Sequence, residues 1–258
     1  MPLDMGLFRL PTTDRRATRP DIRRARRAES EYGRSLRKVA KMVGEIIKAF
    51  DPGDPAVLPK LDDALRRYSD ALEPWARAVG ARMLTEVAAR DRKTWEELSD
   101  TIGRALRREI DNAPTGHAMR QRLEDQVSLI KSLPTEAGQR VHKLTLEAIT
   151  TGRRAEDIAK DIARSGEVTA SRAEMIARTE VGRTATELTK ARAEYIGSEG
   201  YIWTTSRDSR VRDSHAKMSG KFVRWDSPPT LDGITGHAGS VPNCRCIPYP
   251  VLPGEDIP

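Results

Sequence analysis

The sequence predicts a mainly α-helical protein: an elongated helical body followed by a small C-terminal β/loop module of α+β character. Three observations predict it. Of the 258 residues, 38% are hydrophobic and 32% charged, with only 5% aromatic, a balance thin for a β-rich core and typical of long, surface-charged helices. Through most of the chain the apolar residues recur at spacings of three and four, the period of a helix with one buried face. After Gly200 that period stops, β-branched and aromatic residues cluster, and proline and glycine take over.

The first element begins in a basic arm carrying Arg15, Arg16, Arg23, Arg24, Arg26 and Arg27. It turns amphipathic where Leu36, Val39, Val43, Ile46, Ile47 and Phe50 share a face, and "DPGDP" stops it. The arginines read equally well as a solvated helix start and as a contact for DNA. A second helical tract runs from about Ala56 to Ile110. One stripe on it is Leu58, Leu61, Leu65, Tyr68, Leu72 and Trp75; another is Trp95, Leu98, Ile102, Leu106 and Ile110. Pro74 predicts a kink or a restart inside the first stripe, and the tryptophans read as packing residues.

Further helices follow, with breaks expected at Pro134, Gly152 and Gly166. A short helix carries Ala155, Ile158, Ala159 and Ile162, with Gly166 as its C-cap. A longer one starts from Thr169 as N-cap and ends near Gly197 or Gly200. Then "YIWTTS" reads as a strand and "KFVRW" as a second. The expected domains are 1–133, the basic arm and helical region, and 134–258, with helices to about residue 200 and a His/Cys module over 201–258.

The formal net charge of +7 favours a polyanionic partner through non-specific electrostatics. No segment approaches the roughly 18 to 20 uninterrupted apolar residues of a membrane span, so no membrane partner is expected. The N-terminus lacks the pattern of a secretory signal. Two cysteines in the whole chain do not make a disulfide scaffold, and folding in a reducing cytoplasm is expected.

Chemistry gathers at the C-terminal end, where His215, His237, Cys244 and Cys246 lie near Asp208 and Asp213. Thiolate, imidazole and carboxylate are ligands that zinc accepts, usually four in tetrahedral array, and a module with little apolar mass gains folding energy from such a staple. The spacing weighs against it, because zinc knuckles use Cys-x-x-Cys. A Cys-x-Cys pair in an extended segment points both side chains to one face and needs a distant histidine. Two reduced buried cysteines and a redox-labile pair are the rival readings; a Cys-x-Cys disulfide would be strained. His215, His237 and Asn243 also evoke a His-Asn metal nuclease, yet the helix such a site needs would fall where Pro242, Pro248 and Pro250 stand. There is no P-loop and no dinucleotide-binding glycine fingerprint.

These pieces come in a telling order: "IARTE" over Ile176–Glu180, a glycine-ended helix leading into an aromatic strand, then Asp208, Arg210, Val211, Arg212 and His215, Gly220, and "NCRC" over Asn243–Cys246. Over roughly residues 140–247 the chain resembles the phage Mu F-like head morphogenesis family, minor head proteins of tailed bacteriophages. The resemblance implies a structural or assembly role and no reaction. It implies association with the portal protein at the portal vertex inside the capsid, and with scaffold or major capsid protein as further partners. It also implies non-specific contact with double-stranded DNA, and a virion protein assembled in the host cytoplasm. Related domains are thought to hold a metal through the late histidine and cysteine positions, which here gives His215, Cys244 and Cys246, with His237 and Asp208 competing for a fourth place and zinc as the ion. One departure matters: many members have histidine before the proline of this element, and Val241 stands there. Arg210 and Arg212, with Arg207 and Arg245, either brace the local fold or touch phosphate. The alternative from another class is a metal-dependent nuclease or other DNA-processing enzyme built on the same cluster.

Overall fold

In the computed structural model the described residues are 19–50, 54–99, 113–151 and 155–255, without the side chains of 19–25, 97–99, 149 and 155–159. Arg15 and Arg16 of the basic arm lie outside them, as do Ile102, Leu106 and Ile110. Helix α1 spans Arg19–Lys48; after a 3-10 turn at Pro55–Val57 come α2 (Leu58–Ala71), α3 (Glu73–Ser99), α4 (Thr115–Thr151), α5 (Ala155–Tyr195) and a single turn, α6 (Asp213–Ala216). Strands β1 (Gly200–Thr204), β2 (Phe222–Arg224), β3 (Thr230–Leu231), β4 (Ile234–Thr235) and β5 (Ile247–Pro250) complete a mainly α protein with a small β module. No helix among the described residues is long and apolar enough to cross a membrane.

The chain forms two compact units, each assembled from separated stretches. The first takes residues 29–83 and 122–178. Its core contains the expected stripes, with Leu36, Val39, Val43 and Ile47 of α1 and Leu58, Leu61, Leu65 and Leu72 of the α2 region buried. The α2–α3 restart falls at Pro74, in the first turn of α3, where a missing N–H costs nothing. Tyr32 and Gln126 satisfy each other inside this core through a 2.7 Å hydrogen bond.

Three expected boundaries move. Pro134 breaks nothing: it lies inside α4, although it removes a helical N–H. Ile130, Leu133 and Ala137 around it are completely buried, and Ser69 of α2 donates to the Lys131 carbonyl at 2.9 Å in the same turn. Packing here outweighs a proline penalty of roughly 3 kcal/mol. The expected division between residues 133 and 134 therefore falls within a continuous helix. Gly166 is no C-cap but an interior residue of α5, where a Cβ would stand 3.5 Å from the Gly44 Cα of α1. Thr169 is no N-cap either; its buried hydroxyl donates to the Ser165 carbonyl at 2.7 Å and accepts from Arg140, also at 2.7 Å. The expected break at Gly152 lies outside the described residues, between α4, described to Thr151, and α5, described from Ala155.

The second unit takes the start of α1, residues 84–121 and residues 179 onward. Helix α5 ends in a Schellman motif: Ser198 N–H reaches the Ala193 carbonyl at 2.8 Å, Gly197 N–H the Glu194 carbonyl at 3.0 Å, and Gly197 has φ +83°. That reversal sends β1 back into the module. Strand β1 is central, antiparallel to β2 through Tyr201↔Val223 and to β5 through Ile202↔Tyr249. The Val251 N–H bonds the Gly200 carbonyl at 3.0 Å, so alternation turns the ring nitrogens of the buried Pro248 and Pro250 away from β1, where the ladder needs no donor. Trp95 packs into one buried cluster with Tyr201, Trp203, Trp225, Val241 and both cysteines. Below it the buried Asp91 accepts from Arg192 at 2.8 Å and from Thr189 at 2.9 Å.

Candidate metal centre

Cys244 and Cys246 are delivered by a turn and a strand. Val241–Cys244 form a β-turn closed by a 3.0 Å hydrogen bond from Cys244 N–H to the Val241 carbonyl. Proline at its second position and Asn243 with φ +58° at its third are the signature of type II. The chain then enters β5 extended, so both thiols face one way. Arg245 between them faces the other, donating to Asp208 at 2.5 Å. His215 comes from α6, a single turn tied to the same region by Arg212, which donates to the Pro242 carbonyl at 2.8 Å.

The three side chains converge. His215 Nδ1 lies 3.5 Å from Cys244 Sγ and 3.6 Å from Cys246 Sγ, and the three donor atoms all lie within 4.8 Å of one another. The residues are 3%, 4% and 5% exposed. A tetrahedral zinc with ordinary Zn–N and Zn–S bonds separates nitrogen from sulfur by about 3.6 Å, so both contacts match the edges of such a site. The surroundings match as well. Gly239 N–H donates to Cys244 Sγ at 3.3 Å. The buried Trp203 indole N–H has no hydrogen-bond partner. An N–H on the Cys244 sulfur suits a thiolate. The two sulfurs act on each other: the neighbouring Cys246 thiol, helped by the Gly239 N–H, pulls the Cys244 thiol down, while the Cys244 sulfur and burial push Cys246 up. Trp203 also closes the far side of the imidazole, edge-on at 5.4 Å. These residues fit a divalent zinc ion, and two thiolates would neutralise its charge.

Neither competitor for the fourth place joins them. His237 stands between Tyr201 and Trp225, both edge-on at 5.6 Å. Its Nδ1 shares a hydrogen bond of 3.2 Å with the Tyr201 hydroxyl, which also accepts the Ala238 N–H at 3.1 Å. Burial, and secondarily Lys190, push its pKa down to about 4. His237 is thus a neutral core histidine whose Nδ1 is taken. Asp208 accepts from Arg245 and from the Arg210 N–H at 3.0 Å, with Arg26 3.7 Å from its other oxygen. Burial works to raise its carboxyl pKa, but these donors win and hold it below the usual carboxylate range. Val241 is buried with Cγ1 where a Gly236 side chain would stand. Among the described residues the cluster offers three protein ligands.

The basic positions divide. Arg26 and Arg212 have the partners just given, Arg27 and Arg210 are exposed, and Arg23 and Arg24 lie in α1 without described side chains. Arg207 is exposed with φ +53°.

What sequence reading missed is the platform beneath the loop. Thr179, Gly182, Arg183 and Thr186 line one face of α5 and hold residues 238–243 by backbone atoms alone. Thr179 accepts the Asn243 N–H at 3.0 Å, Arg183 donates to the Ser240 carbonyl at 3.0 Å, and Thr186 donates to the Ala238 carbonyl at 2.7 Å. Gly182 is required, because a Cβ there would meet the Gly239 carbonyl at 2.8 Å. The available signal was the spacing of small and polar residues at helical period inside "RTEVGRTAT".

Residues 139–248 match the family described as Phage Mu protein F like protein. The chain carries a Mu F-like domain. The matched range contains the platform, His215, Cys244 and Cys246. A relative from Haemophilus influenzae, described as an uncharacterized protein, is 35% identical over 130 residues, which are 50% of this chain and 28% of that protein. The chain thus spans under a third of that relative's length. No solved structure matches the chain. Within the Mu F-like domain the site is a buried Cys2His cluster on a loop clasped by α5.

Proposed function

We propose that this chain is a non-enzymatic minor head protein of a tailed phage or prophage. It associates with the portal protein at the portal vertex inside the capsid, near scaffold or major capsid protein, and contacts double-stranded DNA without sequence preference during assembly or DNA delivery. The observation that carries this is the Mu F-like domain over 139–248, which points to phage head morphogenesis. A net charge of +7 suits a protein exposed to packaged DNA, and the exposed Arg207 and Arg210 are available to phosphate. The Cys2His cluster acts as a structural staple for zinc. A nuclease needs a metal within reach of a phosphate, and donors no more than 5% exposed favour a staple.

Co-expression with the portal protein of the same phage or prophage tests the reading. The chain is expected to co-purify with portal oligomers and to be found in virions; its absence from both would overturn the assignment. Incubation of the purified chain with plasmid and divalent metals tests the enzyme. Cleavage lost on His215→Ala would replace the staple with a nuclease.

A further inference from the structure

The candidate metal centre is held by a residue that is not one of its ligands. Thr186 is 1% exposed, and its hydroxyl donates to the Ala238 carbonyl at 2.7 Å. That carbonyl and the Gly239 N–H belong to one planar peptide unit, whose two ends point in opposite directions. The far end is the N–H that donates to Cys244 Sγ at 3.3 Å. The unit has little freedom on its own account. Ala238 N–H is held by the Tyr201 hydroxyl at 3.1 Å, and Gly239 has φ +85°, with room for no Cβ: one would stand 2.6 Å from Thr186 Oγ1 and 3.0 Å from the Cys246 carbonyl.

We infer that Thr186 is a positioning residue of the metal centre, fixing one end of the Ala238–Gly239 peptide so that the other end stabilises the Cys244 thiolate. This rests on the metal reading given above. Donors of this kind draw charge from a metal-bound thiolate, and their loss typically weakens metal binding about 10- to 100-fold. Thr186 thereby links the α5 platform to the electronics of the bound ion.

Cobalt(II) alone, titrated into the full-length metal-free chain, gives the readout, because sulfur-to-cobalt charge transfer reports the charge on sulfur. Thr186→Val keeps the volume and removes the hydroxyl. It is expected to bind cobalt about tenfold or more weakly and to move the charge-transfer band to longer wavelength, while Thr186→Ser restores both. A merely structural threonine would lower the melting temperature without moving the band. A folded Thr186→Val protein with wild-type affinity and band position would overturn the inference. A second measurement needs no variant: wild type loaded with NMR-active cadmium is expected to show scalar coupling between the metal and the Gly239 amide proton. Cadmium bound without that coupling sinks the inference alone; a wild-type chain that takes up neither cobalt nor cadmium sinks the metal centre and the inference together.

Discussion

His237 and His215 are the same residue type in the same small module, and their neighbours give them opposite chemistry. His215 has two sulfurs on Nδ1, while His237 has a tyrosine hydroxyl there and aromatic rings on two sides. The cluster was legible in the sequence because metal chemistry is written in residue identity: a Cys-x-Cys in an extended segment must face one way and needs a distant imidazole. The fourth place was not legible, since excluding His237 depends on where Tyr201 and Trp225 fold. The difference can be measured. The folded pKa of His237, about 4, lies below its ordinary 6.5, so the folded state binds that proton less well than the unfolded chain. Its contribution is complete above pH 6.5, declines as pH falls toward 4, and is flat below. Urea midpoints of wild type relative to His237→Gln are expected to fall across that window. A difference independent of pH there would mean that His237 is not buried neutral.

At the scale of elements, the apolar stripes of α1 and α2 were readable because period reports a buried face, and β1 and β2 because β-branched and aromatic residues cluster there, whereas the proline-bearing β5 was not read as a strand. The interior of α4 and α5 was not. Pro134, Gly166 and Thr169 each carry a local signal for a helix end, and in each case tertiary contacts override it: a packed core around Pro134, a close crossing with Gly44, and an arginine on the Thr169 hydroxyl. The platform on α5 escaped for a related reason, since it recognises backbone atoms, which every sequence has. Ser69 offers a test of the α4 account. Ser69→Ala removes a donor from the Lys131 carbonyl and is expected to cost about 1 kcal/mol. Thr150→Ala, which loses only a bond to its own helix on an exposed position, should change stability by a few tenths of that. Equal effects in urea titrations would show that the Ser69 contact does not support the helix at Pro134.

For the whole molecule, the mainly α class with a small β module followed from composition and period, whereas the discontinuous units did not, because segments far apart in sequence give no local sign of sharing a core. Charge is the property that acts at this scale. If the chain meets DNA as proposed, log affinity falls linearly with log salt, and each phosphate contact contributes about 0.9 to the slope. Arg210→Ala is expected to lower affinity equally for unrelated sequences and to flatten that slope by about one. An unchanged slope would remove Arg210 from the interface. Finally, the prolines of β5 bear on the edge of the sheet. An open sheet edge is a template on which a further chain can add a strand; at Pro248 and Pro250 that edge is buried and carries no amide hydrogen, so the short segment that delivers Cys246 also leaves the far side of β5 without those ladder donors.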